Sequence, residues 1–177
     1  MNKKCKIMNE VDVNNKLNRL ALEIIEFHKT VENLYLVGIR SRGVPMVERI
    51  ANFLKTKMEM EIQTGILDIS FYRDDLSLVA EKPILNNSQL DFCIDNAKIV
   101  LIDDVLYSGK TVQKAIEVLH SLGKPKNIQL CVLIDRGHHK TPINADFVGN
   151  YVPTAPNEII KVSLKEIDED DAVLIMI

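Results

Sequence analysis

The stretch I-V-L-I-D-D-V-L-Y-S-G-K-T, residues 99–111, sets two carboxylates directly behind four apolar residues and a small-residue turn close behind the carboxylates. Ionised Asp103 and Asp104 only accept hydrogen bonds, so they suit a pair of sugar hydroxyls and would repel a phosphate unless a metal intervened. The turn has the opposite preference. Backbone N–H groups around Ser108, Gly109, Lys110 and Thr111, the hydroxyls of Ser108 and Thr111, and the dipole of a following helix all favour an anion. One segment therefore complements both halves of a sugar phosphate. Gly109-Lys110-Thr111 resembles the end of a P-loop, but that motif needs glycine five positions before Gly109, where Asp104 stands. No G-x-G-x-x-G follows any apolar run, which removes the dinucleotide fingerprint as well. An acidic pair alone would suit a solvated turn about equally; the anion-suited loop behind it favours a site.

A second anion site is suggested by Arg40-Ser41-Arg42-Gly43, two guanidinium groups beside a glycine and just ahead of a helix whose Pro45 fits a first-turn position. Arginine grips phosphate oxygens through paired hydrogen bonds, although in isolation these two would suit solvated loop charges. Asp68, Tyr72, Arg73, Asp74 and Asp75 form another polar cluster, and Asp135-Arg136-Gly137-His138 closes a further apolar run.

These groups need a scaffold, and the apolar spacing supplies one. Residues 99–102, three of them β-branched, predict a strand buried on both faces and ending at the acidic pair. Val112, Ala115, Ile116 and Leu119 predict a helix directly after it. Upstream, residues 10–29 place Val13, Leu17, Leu20, Ala21, Ile24 and Ile25 at helical spacing. Residues 34–39 read as the first core strand, 44–55 as a second helix and 62–72 as a strand. Residues 73–98 are long, lack a period and contain Pro83, the character of an active-site lid. After a break at Gly123-Lys124-Pro125, residues 128–134 predict another buried strand. Residues 146–149, 159–164 and 172–177 read as short late strands, and the acidic 166–171 as a solvated turn. Alternating helices and strands predict one doubly wound α/β domain over residues 1–177, with a mainly parallel sheet and the site at its carboxyl edge.

Composition narrows the setting. A net charge of -3 gives no global attraction for nucleic acid. The polar start M-N-K-K-C-K and the lack of a long apolar run predict no membrane segment and a cytoplasmic location. Cys5, Cys93 and Cys131 lack the paired spacing of a zinc site and read as reduced thiols.

Four blocks in order carry a resemblance: L-V-G-I-R-S-R-G (36–43), D-I-S-F-Y-R-D-D-L (68–76), D-D-V-L-Y-S-G-K-T (103–111) and V-L-I-D-R-G-H (132–138). The third resembles the phosphoribosyl-pyrophosphate (PRPP) motif of type I phosphoribosyltransferases. The set resembles the pyrimidine-operon attenuation regulators that are also uracil phosphoribosyltransferases. The resemblance implies the type I fold with a flexible hood over about residues 73–98, and the reaction of uracil with PRPP to give UMP and pyrophosphate with Mg²⁺. It implies that Asp103 and Asp104 hold the ribose hydroxyls, and that Tyr107, Ser108, Gly109, Lys110 and Thr111 hold the 5′-phosphate. Pyrophosphate falls to Arg40, Ser41, Arg42, Gly43 and the hood residue Arg73; the base lies beside Asp135, Arg136 and Gly137. No dedicated metal ligands are expected, because Mg²⁺ keeps its waters and rides on substrate phosphates. A homodimer or higher homo-oligomer is also implied.

The resemblance weakens at the surface that binds operon-leader RNA in those relatives. Its positions on the first helix hold Asn18, Arg19, Leu22 and Phe27, of which only Arg19 keeps the family identity. After the R-G-H segment they hold His139, Asn144 and Asn150 where cations are expected. Lys110 stands where the family more often has arginine. Two other readings stay open: transfer to another nucleobase, and an RNA-binding regulator with vestigial chemistry.

Overall fold

The computed structural model describes residues 3–70 and 88–177. Its elements run β1 (Lys3–Met8), α1 (Glu10–His28), β2 (Leu34–Ile39), α2 (Gly43–Met58), β3 (Gln63–Leu67), β4 (Lys98–Leu106), α3 (Lys110–Leu122), β5 (Asn127–Asp135), β6 (Phe147–Tyr151), β7 (Ile159–Ser163) and β8 (Ala172–Met176). Five strands form one sheet in the order β3-β2-β4-β5-β6, and every neighbouring pair in it is parallel.

Side-chain alternation along the central strands explains why helices cover both faces. Leu36, Val100, Ile102, Cys131 and Leu133 point into a core shared with α1 and α2. Their alternates Val37, Ile99, Leu101, Leu130 and Val132 point into a second core closed by Val112, Ala115, Val118 and Leu119 of α3. This is the doubly wound arrangement that the near-continuous apolar strands predict.

α1 shows how local signals and burial agree. Asn9 accepts the Asp12 N–H at 3.0 Å, and Asp12 accepts the Asn9 N–H at 2.9 Å, a reciprocal cap of the first turn. Val13, Leu17, Leu20, Ala21, Ile24 and Ile25 are all buried, as their spacing predicts. Fully burying a side chain such as Leu17, Leu20 or Ile24 contributes roughly 1.5–3 kcal/mol each. The helix stops where Lys29 turns left-handed at φ 61°.

Three expectations are corrected. The first strand in the chain is β1, which pairs antiparallel with β8, and β8 with β7, to make a separate three-stranded sheet. The polar K-K-C-K segment hides it, because an edge strand needs only one buried face. Of the strand expected over 62–72, the described residues form β3 over Gln63–Leu67 and leave 68–70 outside it, while 71 and 72 lie outside the described residues. Finally, residues 166–171 are more than a solvated turn. Asp171 is 3% exposed, and Arg49 of α2 binds both its oxygens at 2.7 and 2.8 Å while also binding Glu166 at 2.7 and 2.6 Å. The hydrogen bonds that Arg49 donates to Asp171 and Glu166 hold its guanidinium well above its ordinary pKa. Burial pushes Asp171 up, but Arg49 and the Lys165 N–H outweigh it and keep the carboxyl below its usual range.

At the opposite end of the sheet from the acidic pair, burial lowers the pKa of His28, the last residue of α1; the neighbouring Gln129 amide opposes the shift and Lys98 adds to it. Lowered in the folded state, the imidazole binds its proton more readily in the unfolded chain. Its contribution to stability is therefore complete above the unfolded pKa of about 6.5 and is lost as pH falls through the folded value. The melting temperature should fall between about pH 7.5 and pH 5.5, and His28→Gln should flatten that slope. Scanning calorimetry at matched ionic strength checks it; equal slopes in both proteins would remove His28 as the source.

Candidate active site

The acidic pair lies inside a strand. β4 continues through Asp103 and Asp104 to Leu106, so the expected end at residue 102 is corrected by four residues. The register shows the cause: β5 pairs with β4 alongside Asp103, Val105 and Leu106, and these ladder bonds carry β4 beyond its apolar run. Asp103 is buried and Asp104 half-buried. Asp103 Oδ1 accepts the Asp104 N–H at 2.9 Å, and Asp104 Oδ1 accepts the Val105 N–H at 3.0 Å. Each carboxylate is thereby fixed in rotation at the edge of the central sheet.

Tyr107, Ser108 and Gly109 form the turn into α3. Gly109 sits at the helix N-cap with φ 81° and supplies no side-chain cap. A Cβ there would lie 2.0 Å from Thr141 Oγ1, so the left-handed turn and the tight packing both require glycine. With no capping side chain, the first turn of α3, including Lys110 and Thr111, presents its N–H groups as an anion cradle. The loop after β5 braces this turn: the Lys140 N–H donates to the Ser108 carbonyl at 3.0 Å.

The arginine loop comes to the same edge by close backbone approach. A Cβ on Gly38 would lie 2.7 Å from the Gly43 backbone, and one on Gly43 would lie 2.3 Å from the Ile102 carbonyl oxygen. Residues 40–43 consequently lie against the strand that carries the acidic pair, one residue before Asp103. The Arg40–Ser41 peptide is cis. Arg40 is 41% exposed in its side chain and reaches buried Asp68 at 3.5 Å. Arg42 is held at 3.0 and 3.2 Å by the two oxygens of Asp168, in the turn between β7 and β8. Burial raises Asp168, but the Leu164 N–H and Arg42 outweigh it and leave its carboxyl below the usual range. Arg42 Nε is buried with no hydrogen-bond partner among the described residues. Arg73, expected beside these arginines, and most of the hood expected over 73–98 lie outside the described residues. The described end of that segment is packed, with Gln89 exchanging backbone hydrogen bonds with Ile66 at 2.8 and 2.9 Å.

At the end of β5, Asp135 is 5% exposed and Arg136 6%. Asp135 Oδ1 accepts the Gly137 N–H at 2.9 Å and lies 2.9 Å from His139 Nε2. The Arg136 side chain turns inward, donating to Thr154 Oγ1 at 3.0 Å and to the Glu158 carbonyl at 2.6 Å, with its guanidinium 3.9 Å over the Tyr107 ring. Its guanidinium thus links Tyr107, in the turn before α3, to the segment before β7. His138, at φ 62°, lies with Nε2 2.7 Å from the Thr154 carbonyl. A cavity of about 280 Å³ opens here, lined by Asp135, Gly137, His139, Asn144, Ala145, Tyr151 and Pro153. Sequence reasoning missed Thr141, Thr154 and His139. Their roles depend on loop packing that no periodicity reveals, although the doubled His138-His139 was a visible signal.

The acidic strand, the open helix N-terminus, the arginine loop and the end of β5 thus converge on one sheet edge. Together they can hold a diol, two anionic groups and a planar ring. Among the described residues no three His, Cys, Asp or Glu side chains group as a metal cage, and no helix is long and apolar enough to cross a membrane.

Known proteins resemble this chain in sequence and in fold. Residues 10–167 match the phosphoribosyl transferase domain family. The bifunctional protein PyrR of Caldicellulosiruptor bescii is 50% identical over 175 residues, spanning 99% of this chain and 96% of that protein. That of Acetivibrio thermocellus is 50% identical over 172 residues, spanning 97% and 94%. Among solved structures, a hypoxanthine phosphoribosyltransferase from Trypanosoma cruzi superposes with a TM-score of 0.76 at 14% identity, covering 98% of this chain and 96% of that one. A hypoxanthine-guanine phosphoribosyltransferase from Bacillus anthracis gives 0.70 at 17% identity, covering 100% of both; at these identities the likeness is one of fold. A parallel sheet carrying its acidic pair and two anion-suited loops at one edge, together with half-identical relatives matched almost end to end, places the chain in the phosphoribosyltransferase family, within its PyrR branch.

Proposed function

We propose that this phosphoribosyltransferase transfers the ribose 5-phosphate of PRPP to uracil, giving UMP and pyrophosphate. The observation that carries the reading is the convergence of the acidic pair, buried Asp103 and half-buried Asp104, and the uncapped α3 N-terminus on one sheet edge. In the reaction the bond at the anomeric carbon breaks, charge of opposite sign develops on ribose and pyrophosphate, and the base nitrogen takes the ribose. Asp103 and Asp104, fixed by their backbone bonds, hold the two ribose hydroxyls and oppose the developing cation. Tyr107, Ser108, Gly109, Lys110 and Thr111 hold the 5′-phosphate. Arg40, Ser41, Arg42 and Gly43 receive the pyrophosphate, and the buried, unpartnered Arg42 Nε is the kind of donor that an anion satisfies. The base lies against Asp135 and the backbone of Arg136 and Gly137.

The residues fit Mg²⁺ carried by substrate, with two hard oxygen donors in Asp103 and Asp104 and no third ligand grouped with them among the described residues. When bound, the ion neutralises charge on the diphosphate. We assign the RNA-regulatory role a reduced part in this chain, because Arg19 is tied down by the Val148 and Gly149 carbonyls at 2.8 and 2.7 Å and by Glu23. Its alternative, a dedicated operon attenuator, draws support from the PyrR relatives as a whole.

A base panel with PRPP and Mg²⁺ tests the assignment. Pyrophosphate release is expected with uracil and not with orotate, hypoxanthine or guanine. Release with a purine would change the substrate, and no release with any base would favour the attenuator.

A further inference from the structure

We infer that His139 is a positioning residue for the nucleobase, acting through Asp135; the inference rests on the reading that the base occupies the cleft at the end of β5. His139 and Asp135 both line that cleft, together with Gly137, Asn144, Tyr151 and Pro153. The Asp135 side chain is 6% exposed and that of His139 21%. Asp135 Oδ1 takes two donors, the Gly137 N–H and His139 Nε2, each at 2.9 Å. Oδ2 accepts none among the described residues. Asp135 lines the cleft, so an oxygen with no protein donor there is open to a donor from a bound ligand. The class of ligand follows from the chemistry: a carboxylate takes only donors, so Oδ2 complements a ring N–H flanked by carbonyls.

His139 decides where that free oxygen points. An ionised carboxylate is acceptor-only, so the contact makes Nε2 the protonated nitrogen of the ring. Two donors on Oδ1 fix the carboxylate plane and leave Oδ2 turned away from them. The segment carrying His139 is itself pinned, through the Lys140 N–H on the Ser108 carbonyl, to the turn that cradles the phosphate. Base and phosphate subsites therefore share one mechanical support, while His139 itself touches only the carboxylate.

The test compares wild type with His139→Leu and His139→Gln, measuring initial rates with uracil, PRPP and Mg²⁺ and melting temperature alongside. The leucine variant loses the donor and should raise KM for uracil about tenfold, with kcat and KM for PRPP unchanged within about twofold. Glutamine places an N–H near the Nε2 position and should restore KM for uracil to within about threefold of wild type. An unshifted uracil KM in the leucine variant overturns the inference, as does an equal rise in both KM values or failure of glutamine to rescue. Should the leucine variant melt early, the glutamine variant and a uracil titration of ¹⁵N-histidine-labelled wild type decide: a His139 Nε2 signal unmoved by uracil also overturns it. Wild type inactive with every base would sink the transferase reading itself, an outcome distinct from an active enzyme indifferent to His139.

Discussion

Asp103→Asn and Asp104→Asn should each leave the melting temperature near that of wild type and lower kcat with uracil and PRPP by about 10² or more. Asparagine keeps the size of the side chain and an oxygen able to accept the neighbouring N–H, at Asp104 for Asp103 and at Val105 for Asp104. What it loses is the negative charge, which matters most when positive charge develops on the ribose. An interaction made chiefly in the transition state appears in kcat and in kcat/KM alike, with little change in PRPP binding. Because Asp103 is 9% exposed and Asp104 half-buried, water screens the buried charge less, and Asp103→Asn should be the more severe of the two. Stopped-time assays of pyrophosphate release measure both. Near-wild-type turnover in the two variants would move the ribose site elsewhere.

The second large effect concerns RNA. A leader hairpin of the kind bound by the pyrimidine-operon regulators should bind this chain at physiological salt no more tightly than about 10⁻⁴ to 10⁻⁶ M, the non-specific range, with or without UMP. Phosphate neutralisation supplies most of such affinity, and of the positions matched to the relatives' RNA surface only Arg19 carries a fixed positive charge here. Asn144 and Asn150 are exposed where basic side chains are expected, and Leu22 and Phe27 put exposed apolar surface on the same helix as Arg19. His139 is committed to Asp135, and Arg19 to β6 and Glu23. Fluorescence anisotropy against a scrambled hairpin of equal length gives the answer. Nanomolar, UMP-dependent affinity would show that Lys16, Lys29 and Lys140 rebuild the basic face.

Much of this architecture was legible before any coordinates. The 3.6-residue period of α1 and the unbroken apolar runs of β4 and β5 name both the elements and their two-sided burial, because a central parallel strand has no polar face to show. The acidic pair and the uncapped turn were legible for the same reason: residue types at fixed spacing determine donors and acceptors. Ladder pairing was not. β4 runs past its apolar segment because β5 lies alongside, and β1 exists because β8 comes to meet it. The acidic run 166–171 looked solvated because its cationic partners, Arg42 and Arg49, stand more than a hundred positions away along the chain. Side-chain roles decided by such partners cannot be read from composition, and Arg136 shows it: the resemblance sets the residue beside the base, and only the structure shows its guanidinium turned inward onto Thr154 and Glu158.

The three-stranded sheet has a consequence for how the protein is made. Its middle strand, β8, is flanked by β1 and β7, and Lys3 stands opposite Met176. On the ribosome β1 emerges before the other strands described, and β8, its neighbour among the described residues, emerges after them. The parallel sheet can assemble progressively from β2 onward, whereas β1 has to wait with its edge unpaired until β8 has been made. Its lysines, Lys3, Lys4 and Lys6, give the nascent strand a charge that discourages pairing with other chains during that interval. The same adjacency sets Lys3 beside Met176, so a short peptide joining these two strand ends, with the chain opened elsewhere, would let β1 and β8 fold as a local hairpin and remove the wait.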